Sequence, residues 1–334
     1  AYASDVPEGR LNRIRSGADG RDYPYTVLIP ETYDPSVPTP VLVYLHGGVN
    51  RPLPEAPGGW WRDYDRIADP DRIVVVPAAW DAAAWWTDAQ LENVSDIVRT
   101  LGRIYHIDTD RVHLIGISDG GTGAYYQAFR APTPWASFLP FIGHPAVLSS
   151  PQLGVDGQMH VLNLRNRPLM IVNGGRDRLY PTSSVEPFVR LFEANDVRLT
   201  YRPHPEAGHD LTWLPDESAR LDSFLVATPR DPLPARLAWE TEDPARGRFS
   251  WLSIDALGDV EGDADIVVQN TIQLPDDPEP YIAFPHRRPS GRVVAEREGN
   301  RVTLRTDGVR RVRVLVSPDV FDLSLPIRVE VNGA

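Results

Sequence analysis

Short apolar runs alternate with stretches of helical period along the first two thirds of the chain, which predicts an α/β fold: a mostly parallel sheet with helices on both faces. The alternation stops at a proline-rich break, which predicts a second, all-β unit behind it. The runs Tyr25–Pro30, Val41–Leu45, Ile73–Pro77, Val112–Ile115, Leu169–Val172 and Val197–Tyr201 read as strands. Several are continuous in Val, Ile and Leu, the pattern of strands buried on both faces. Between them Leu91, Val94, Ile97, Val98, Leu101 and Ile104 recur at helical spacing, and Val185, Phe188, Val189 and Phe192 do the same. The expected α/β unit is therefore 1–228. Pro229-Arg-Asp-Pro-Leu-Pro234 then makes a stiff linker over 229–235. After it Arg236–Thr241, Arg248–Asp255, Ile266–Leu274, Arg292–Arg297, Val302–Thr306, Val312–Ser317 and Ile327–Val331 read as short strands, several alternating. They predict a sandwich-like accessory domain over 236–334.

Composition bounds the function. The 334 residues, 42% hydrophobic and 9% aromatic, suffice for one large core and a smaller one. A net charge of −12 argues against nucleic acid or an anionic membrane surface as a partner. No apolar run approaches the ~18 residues of a membrane span. All 34 basic residues are arginine, so a Ser–Lys dyad and Schiff-base chemistry are excluded. The absence of cysteine excludes disulfides, thiol nucleophiles and thiolate-bound metals. No signal peptide is expected within the sequence, and Val331-Asn-Gly-Ala334, a hairpin signal with no second strand after it, is expected to continue in a longer natural chain.

Gly116-Ile-Ser118-Asp-Gly120 follows the strand Val112–Ile115 and precedes a helical stretch, the strand–turn–helix setting of a G-x-S-x-G nucleophile elbow. So sharp a turn needs glycine on both sides of the serine, and it raises Ser118 above the sheet at a helix N-terminus, where the dipole favours developing negative charge. His46-Gly-Gly48 follows Val41–Leu45, in the loop from which this architecture draws its second oxyanion donor. The expected donors are the N–H groups of Gly48 and Asp119. Asp177 in Gly174-Gly-Arg-Asp177 and His209 in Ala207-Gly-His209 each lie just past a strand, at the carboxyl ends where parallel sheets build their sites. The order Ser118, Asp177, His209 matches the order of nucleophile, acid and base on this architecture. Serine needs a base to take its proton; His209 is placed to do so, with Asp177 fixing its tautomer. His204, Glu206 and His209 also offer a zinc-like spacing, but the elbow already accounts for His209, and no metal is expected. Trp60, Trp61, Trp80, Trp85, Trp86 and Trp213 cluster in loops near these elements, and Trp80, Trp86 and Trp213 are candidates to line a substrate cleft.

From Tyr25 to Phe224 the chain resembles the α/β-hydrolase branch that holds feruloyl esterases, polyhydroxybutyrate depolymerases and prolyl-oligopeptidase-like hydrolases. The resemblance rests on Leu45-His-Gly-Gly48, Tyr105-His-Ile-Asp108-Thr-Asp-Arg-Val112, Gly116-Ile-Ser-Asp-Gly-Gly121 and Gly208-His209. It implies a serine esterase working through an acyl-enzyme on small or polymer-derived esters, aromatic ones included, without a cofactor and acting outside the cell. A serine peptidase is the alternative within enzymes, because the same three side chains cleave amides. A carbohydrate- or polymer-binding protein with a vestigial triad is the alternative outside them. All the catalytic elements precede the linker, so turnover of small soluble esters is expected not to need the accessory domain.

Overall fold

The computed structural model describes residues 2–3, 5–55, 71–153, 155, 157–258, 266–274, 277 and 279–333. Eight strands form the main sheet: β1 (Gly9–Ser16), β2 (Asp22–Ile29), β3 (Thr39–Leu45), β4 (Ile73–Pro77), β5 (Ile107–Ile117), β6 (Ser137–Phe141), β7 (Leu169–Gly174) and β8 (Leu199–His204). Their spatial order is β1-β2-β4-β3-β5-β6-β7-β8. β1 and β2 run antiparallel at one edge, and β4 to β8 with β3 are parallel.

Alternation within each strand sorts side chains to two cores. Val41, Val43 and Leu45 point to one face, where they meet helices α1 (Asp88–Ile104), α2 (Asp119–Arg130) and α3 (Thr182–Glu193). Leu42 and Tyr44 point to the other, where α4 (Leu214–Ala227) lays Leu214, Leu221 and Leu225 against them. The sheet is thus covered on both faces, as the sequence predicts. Two strands escape the sequence reading. β1 is a polar edge strand whose side chains are mostly exposed, so it carries no apolar run. β6 contains Pro140, a residue that argues against a central strand, yet all five of its residues are buried.

Beyond the linker, β9 (Arg236–Thr241), β14 (Gly291–Glu298), β15 (Arg301–Asp307) and β17 (Arg328–Val331) form one sheet, ordered β17-β15-β14-β9. β10 (Arg248–Phe249), β11 (Leu252–Leu257) and β16 (Val309–Val314) form a second. Leu237, Trp239, Phe249, Trp251, Ile254, Val293 and Leu304 make the core they share. The run Ile266–Leu274 departs from expectation. Only β12 (Thr271–Ile272) forms within it, pairs with β13 (Tyr281–Ile282), and turns back to the α/β unit. Ile272, Ala283 and Phe284 belong to the core above α1–α3, with the Phe284 ring 5.1 Å from Phe129 and 5.9 Å from Phe188. The reason is apolar burial: these side chains complete a surface that α2 and α3 leave open.

The junction between the two units is a polar seam made largely of side-chain amides that imitate a β-strand partner. Asn163 donates to Glu240 O (3.0 Å) and accepts from Glu240 N–H (2.8 Å). Asn166 does the same with Ala238 (2.6 and 3.1 Å). Both cap the edge of β9 that faces away from β14. Asn195 holds Gln269 in the same way (2.9 and 3.0 Å), and Gln158 accepts from the N–H groups of Arg287 and Arg288. The proline-rich linker is itself tied down: Arg230 pairs with Asp110, and the Trp251 indole donates to Pro234 O.

Candidate active site

β5 enters a turn at Ser118 and α2 leaves it. Ser118 has φ 57° and ψ −119°, a region that only a sharply constrained non-glycine residue occupies. The flanking glycines are required by contact. A Cβ at Gly116 would lie 1.9 Å from Gly120 O, and one at Gly120 would lie 1.9 Å from Leu45 O. The Ser118 N–H bonds Phe141 O at 3.0 Å, which anchors the turn to β6.

Three side chains from three strand ends meet here. His209 Nε2 lies 2.8 Å from Ser118 Oγ, and His209 Nδ1 lies 2.7 Å from Asp177 Oδ2. Asp177 is buried, and its other oxygen accepts from the N–H groups of Leu179 (2.8 Å) and Tyr180 (3.0 Å). The carboxylate is therefore fixed by the loop after β7, and only one oxygen is left for His209. The structure thus brings together the three residues that the sequence singled out. With Nδ1–H donating to the carboxylate, Nε2 presents a lone pair to the serine.

The loop after β3 lies against the nucleophile. Gly47 is so close that a Cβ there would sit 2.9 Å from Ser118 Cβ, and Gly48 adopts φ +71°. The Asp119 side chain accepts from Val49 N–H at 2.9 Å and so ties this loop to the elbow. Sequence reading assigned Asp119 only a main-chain role; its place inside the elbow motif was the signal available. His46 anchors the loop from beneath: Nε2 accepts from Ala79 N–H (3.0 Å) and Nδ1 donates to Gly47 O (2.8 Å). Burial pushes its pKa down to about 4, so the ring stays neutral and keeps this tautomer. Burial likewise lowers His144 to about 4; its Nδ1 accepts from Ala146 N–H and its Nε2 faces Ser184 Oγ. Tyr180 stands edge-on to His209, with centroids 5.8 Å apart. Burial, with the charges of Asp119 and Asp177, raises its phenol to about 12.

Two of the three tryptophan candidates, Trp86 and Trp213, fall in the core. Trp213 is a core residue, 2% exposed, stacked on His204 and edge-on to Phe141, with its indole N–H on Asp210 O. It supports the His209 loop from below and offers no open face. Trp86 also belongs to the core, with its N–H on Leu153 O. Trp80 is half-buried against Tyr23. Trp85 wedges under the oxyanion loop and donates to His46 O at 2.8 Å. Trp60 and Trp61 lie outside the described residues. His204 and Glu206 do not converge with His209 on a metal: His204 faces Glu217, and Glu206 pairs with Arg176.

Sheet order, antiparallel edge and elbow together define the α/β-hydrolase fold. No family model matches the chain. A thermostable esterase superposes with TM-score 0.52 and 20% identity, covering 66% of this chain and 63% of that one. Pyrococcus horikoshii acylaminoacyl peptidase superposes with TM-score 0.53 and 13% identity, covering 67% of this chain and 42% of that one. In sequence the chain is 28% identical over 182 residues to the bifunctional acetylxylan esterase/xylanase XynS20E of Neocallimastix patriciarum, a match over 53% of this chain. It spans about a quarter of that relative's length, 24%.

Proposed function

We propose that the protein is a serine hydrolase of carboxylic esters. The observation that carries this reading is the unbroken chain Asp177–His209–Ser118, with bonds of 2.7 and 2.8 Å, ending on a serine at a strained elbow. Ser118 Oγ attacks the ester carbonyl as His209 Nε2 takes its proton. The oxyanion forms against the main-chain N–H groups of Gly48 and Asp119. His209 then gives the proton to the departing alcohol, leaving an acyl-enzyme. Water, deprotonated by the same histidine, releases the acid and restores the serine. Asp177 stays ionised and steadies the imidazolium. No step needs a cofactor.

The similarity to a bifunctional acetylxylan esterase/xylanase supports short acyl groups carried on a carbohydrate polymer as the substrate class. The feruloyl-esterase resemblance is the aromatic variant of the same chemistry. A panel of p-nitrophenyl acetate, butyrate and octanoate, a feruloyl ester, acetylated xylan and a peptide amide tests both parts. Ester cleavage that disappears in Ser118→Ala, by a factor of ~10³ or more, with little amide cleavage, is the expected result. Full activity in Ser118→Ala refutes the mechanism, and an amide rate equal to that of the matching ester refutes the ester assignment.

A further inference from the structure

The polar seam holds a group of side chains that the hydrolase chemistry does not use. His160 follows the segment 157–159 on the hydrolase side, Glu240 lies on β9, and His286 follows the segment that delivers Phe284. One ligand-type atom from each lies within 4.8 Å of the other two. We propose that His160, Glu240 and His286 form a binding site for a divalent transition-metal ion, zinc by the chemistry of its donors, which joins the β unit to the hydrolase unit.

Two buried atoms carry the argument. His160 and Glu240 are each 2% exposed, and His160 Nδ1 and Glu240 Oε2 make no hydrogen bond. Leaving one such atom unpaired in a dry seam is costly, and two side by side call for a common partner. The remaining bonds define what that partner is. His160 Nε2 faces Glu242 Oε2 at 2.7 Å and donates its proton there. In the neutral ring Nδ1 then presents a lone pair toward Glu240, whose Oε1 is 3.3 Å away, whereas the protonated ring, which the two glutamates favour, donates there instead. A lone pair facing a carboxylate is repulsive unless a cation sits between them. A proton would serve that one pair alone. A metal ion would serve Nδ1, the orphaned Oε2 and the nearby His286 nitrogen together.

The outer contacts are those that metal-binding groups require. A ligating histidine commonly donates its second N–H to a carboxylate, which is the role Glu242 plays for His160. Glu242 is in turn held by Arg130 (2.6 Å) and Arg288 (3.1 Å). Glu240 Oε1 accepts from Ser290 Oγ at 2.6 Å, which orients the carboxylate. His286 hydrogen-bonds the main chain at Met159. Two imidazoles and one carboxylate suit zinc, with water as a fourth ligand. Zinc donors at ~2.0–2.2 Å from the ion lie ~3.3–3.6 Å apart. The spread of 4.8 Å is closed by a swing of His286, which is exposed and so provides the entry path.

The test uses the full chain, stripped with a chelator and dialysed. Zinc sulfate is titrated calorimetrically, cobalt chloride is titrated while visible d–d bands are followed, and thermal unfolding is read with and without zinc. One equivalent of zinc should bind, cobalt should give bands of tetrahedral intensity, and the melting temperature should rise. His286→Ala removes an exposed ligand while leaving the buried bonds in place, so it should fold as wild type does. It should weaken zinc binding more than ~100-fold, beyond what loss of an outer-shell partner causes, and abolish the thermal shift. Glu240→Gln should do the same where it folds. Ser118→Ala should bind zinc as wild type does. Absence of stoichiometric binding at millimolar zinc overturns the proposal, as does binding that His286→Ala leaves unchanged.

Discussion

Asn163 gives the sharpest test of how the two units are held together. It is 2% exposed, and its amide makes three bonds to main chain: to Phe129 O (2.9 Å), to Glu240 O (3.0 Å) and from Glu240 N–H (2.8 Å). Asn163→Ala removes all three and strands the N–H and C=O of a buried strand residue. At ~1 kcal/mol net for each bond, the loss is about 3 kcal/mol. At ~2.1 cal/mol/K of unfolding entropy per residue, a chain of 334 residues shifts by ~1.4 °C for each kcal/mol, so the melting temperature should fall by about 4 °C. Asn163→Asp separates bonding from shape. It keeps an acceptor for Glu240 N–H but turns the donating end into a charge facing two carbonyl oxygens, so it should be at least as damaging. Urea and thermal unfolding, run in chelator so that bound metal does not contribute, read both variants. If Asn163→Ala unfolds within ~0.5 kcal/mol of wild type, or Asn163→Asp is tolerated, the amides are not the clamp described here.

Further outcomes follow from other contacts. Asp119→Ala frees Val49 N–H and loosens the oxyanion loop, so kcat should fall about tenfold with KM little changed, while Asp119→Asn, which keeps an acceptor, should restore most of it; equal loss in both variants would refute the loop-pinning role. Trp213→Ala should lower stability by about 3–5 kcal/mol without altering the ranking of esters, because the ring is core rather than cleft wall; a changed acyl preference in a stable variant would restore the cleft reading. Burial holds His46 and His144 down at about 4 and His113 at about 3, against ~6.5 when unfolded, so the unfolded chain binds more protons below pH 6.5 and stability should fall as pH drops from there. Each of these histidines adds ~1.4 kcal/mol per pH unit at full effect; urea midpoints between pH 6.5 and 5 should show a shallower slope in His113→Gln, and an unchanged slope would contradict this account. A chain ending at Ala227, expected from the sequence alone to keep its activity on small esters, should instead expose Phe129 and strand Asn163 and Asn166, so it should aggregate rather than act as a free-standing esterase; a monomeric, cooperatively unfolding product would restore the sequence expectation.

What sequence reveals here depends on how local the cause is. The elbow was legible because strain at Ser118 and the crowding of Gly116 against Gly120 are settled within five residues, although Gly120 itself is required by Leu45 on the neighbouring strand. The buried strands were legible because burial on both faces leaves an unbroken apolar run. Asp177 and His209 could be picked out because each closes a strand end, although the 2.7 Å bond between them is a product of the fold. Trp213 misled because a loop position beside catalytic residues is equally suited to propping the loop from below, a place that Trp85 takes under the neighbouring loop. The run Ile266–Leu274 misled because an apolar run foretells burial but not in which core: Ile272, like Phe284 after it, joins the first core, while Val267 stays exposed. His160, Glu240 and His286 carry no spacing signal, since three separate elements bring them together.

The seam also has a consequence for how the molecule is made. A ribosome that has reached His209 has already delivered the whole hydrolytic set, yet the gap beside Phe129 and Phe188 stays wet until Phe284 emerges. The amides of Asn163 and Asn166 wait in the same way for the strand that holds Ala238 and Glu240. Vectorial synthesis therefore separates having the catalytic residues from having a closed interior, and the nascent chain passes through a stage with an exposed aromatic surface, the kind of species that chaperones bind. A protease that cuts between the linker and Phe284 returns a finished molecule to that stage, so the second unit sets the lifetime of the first.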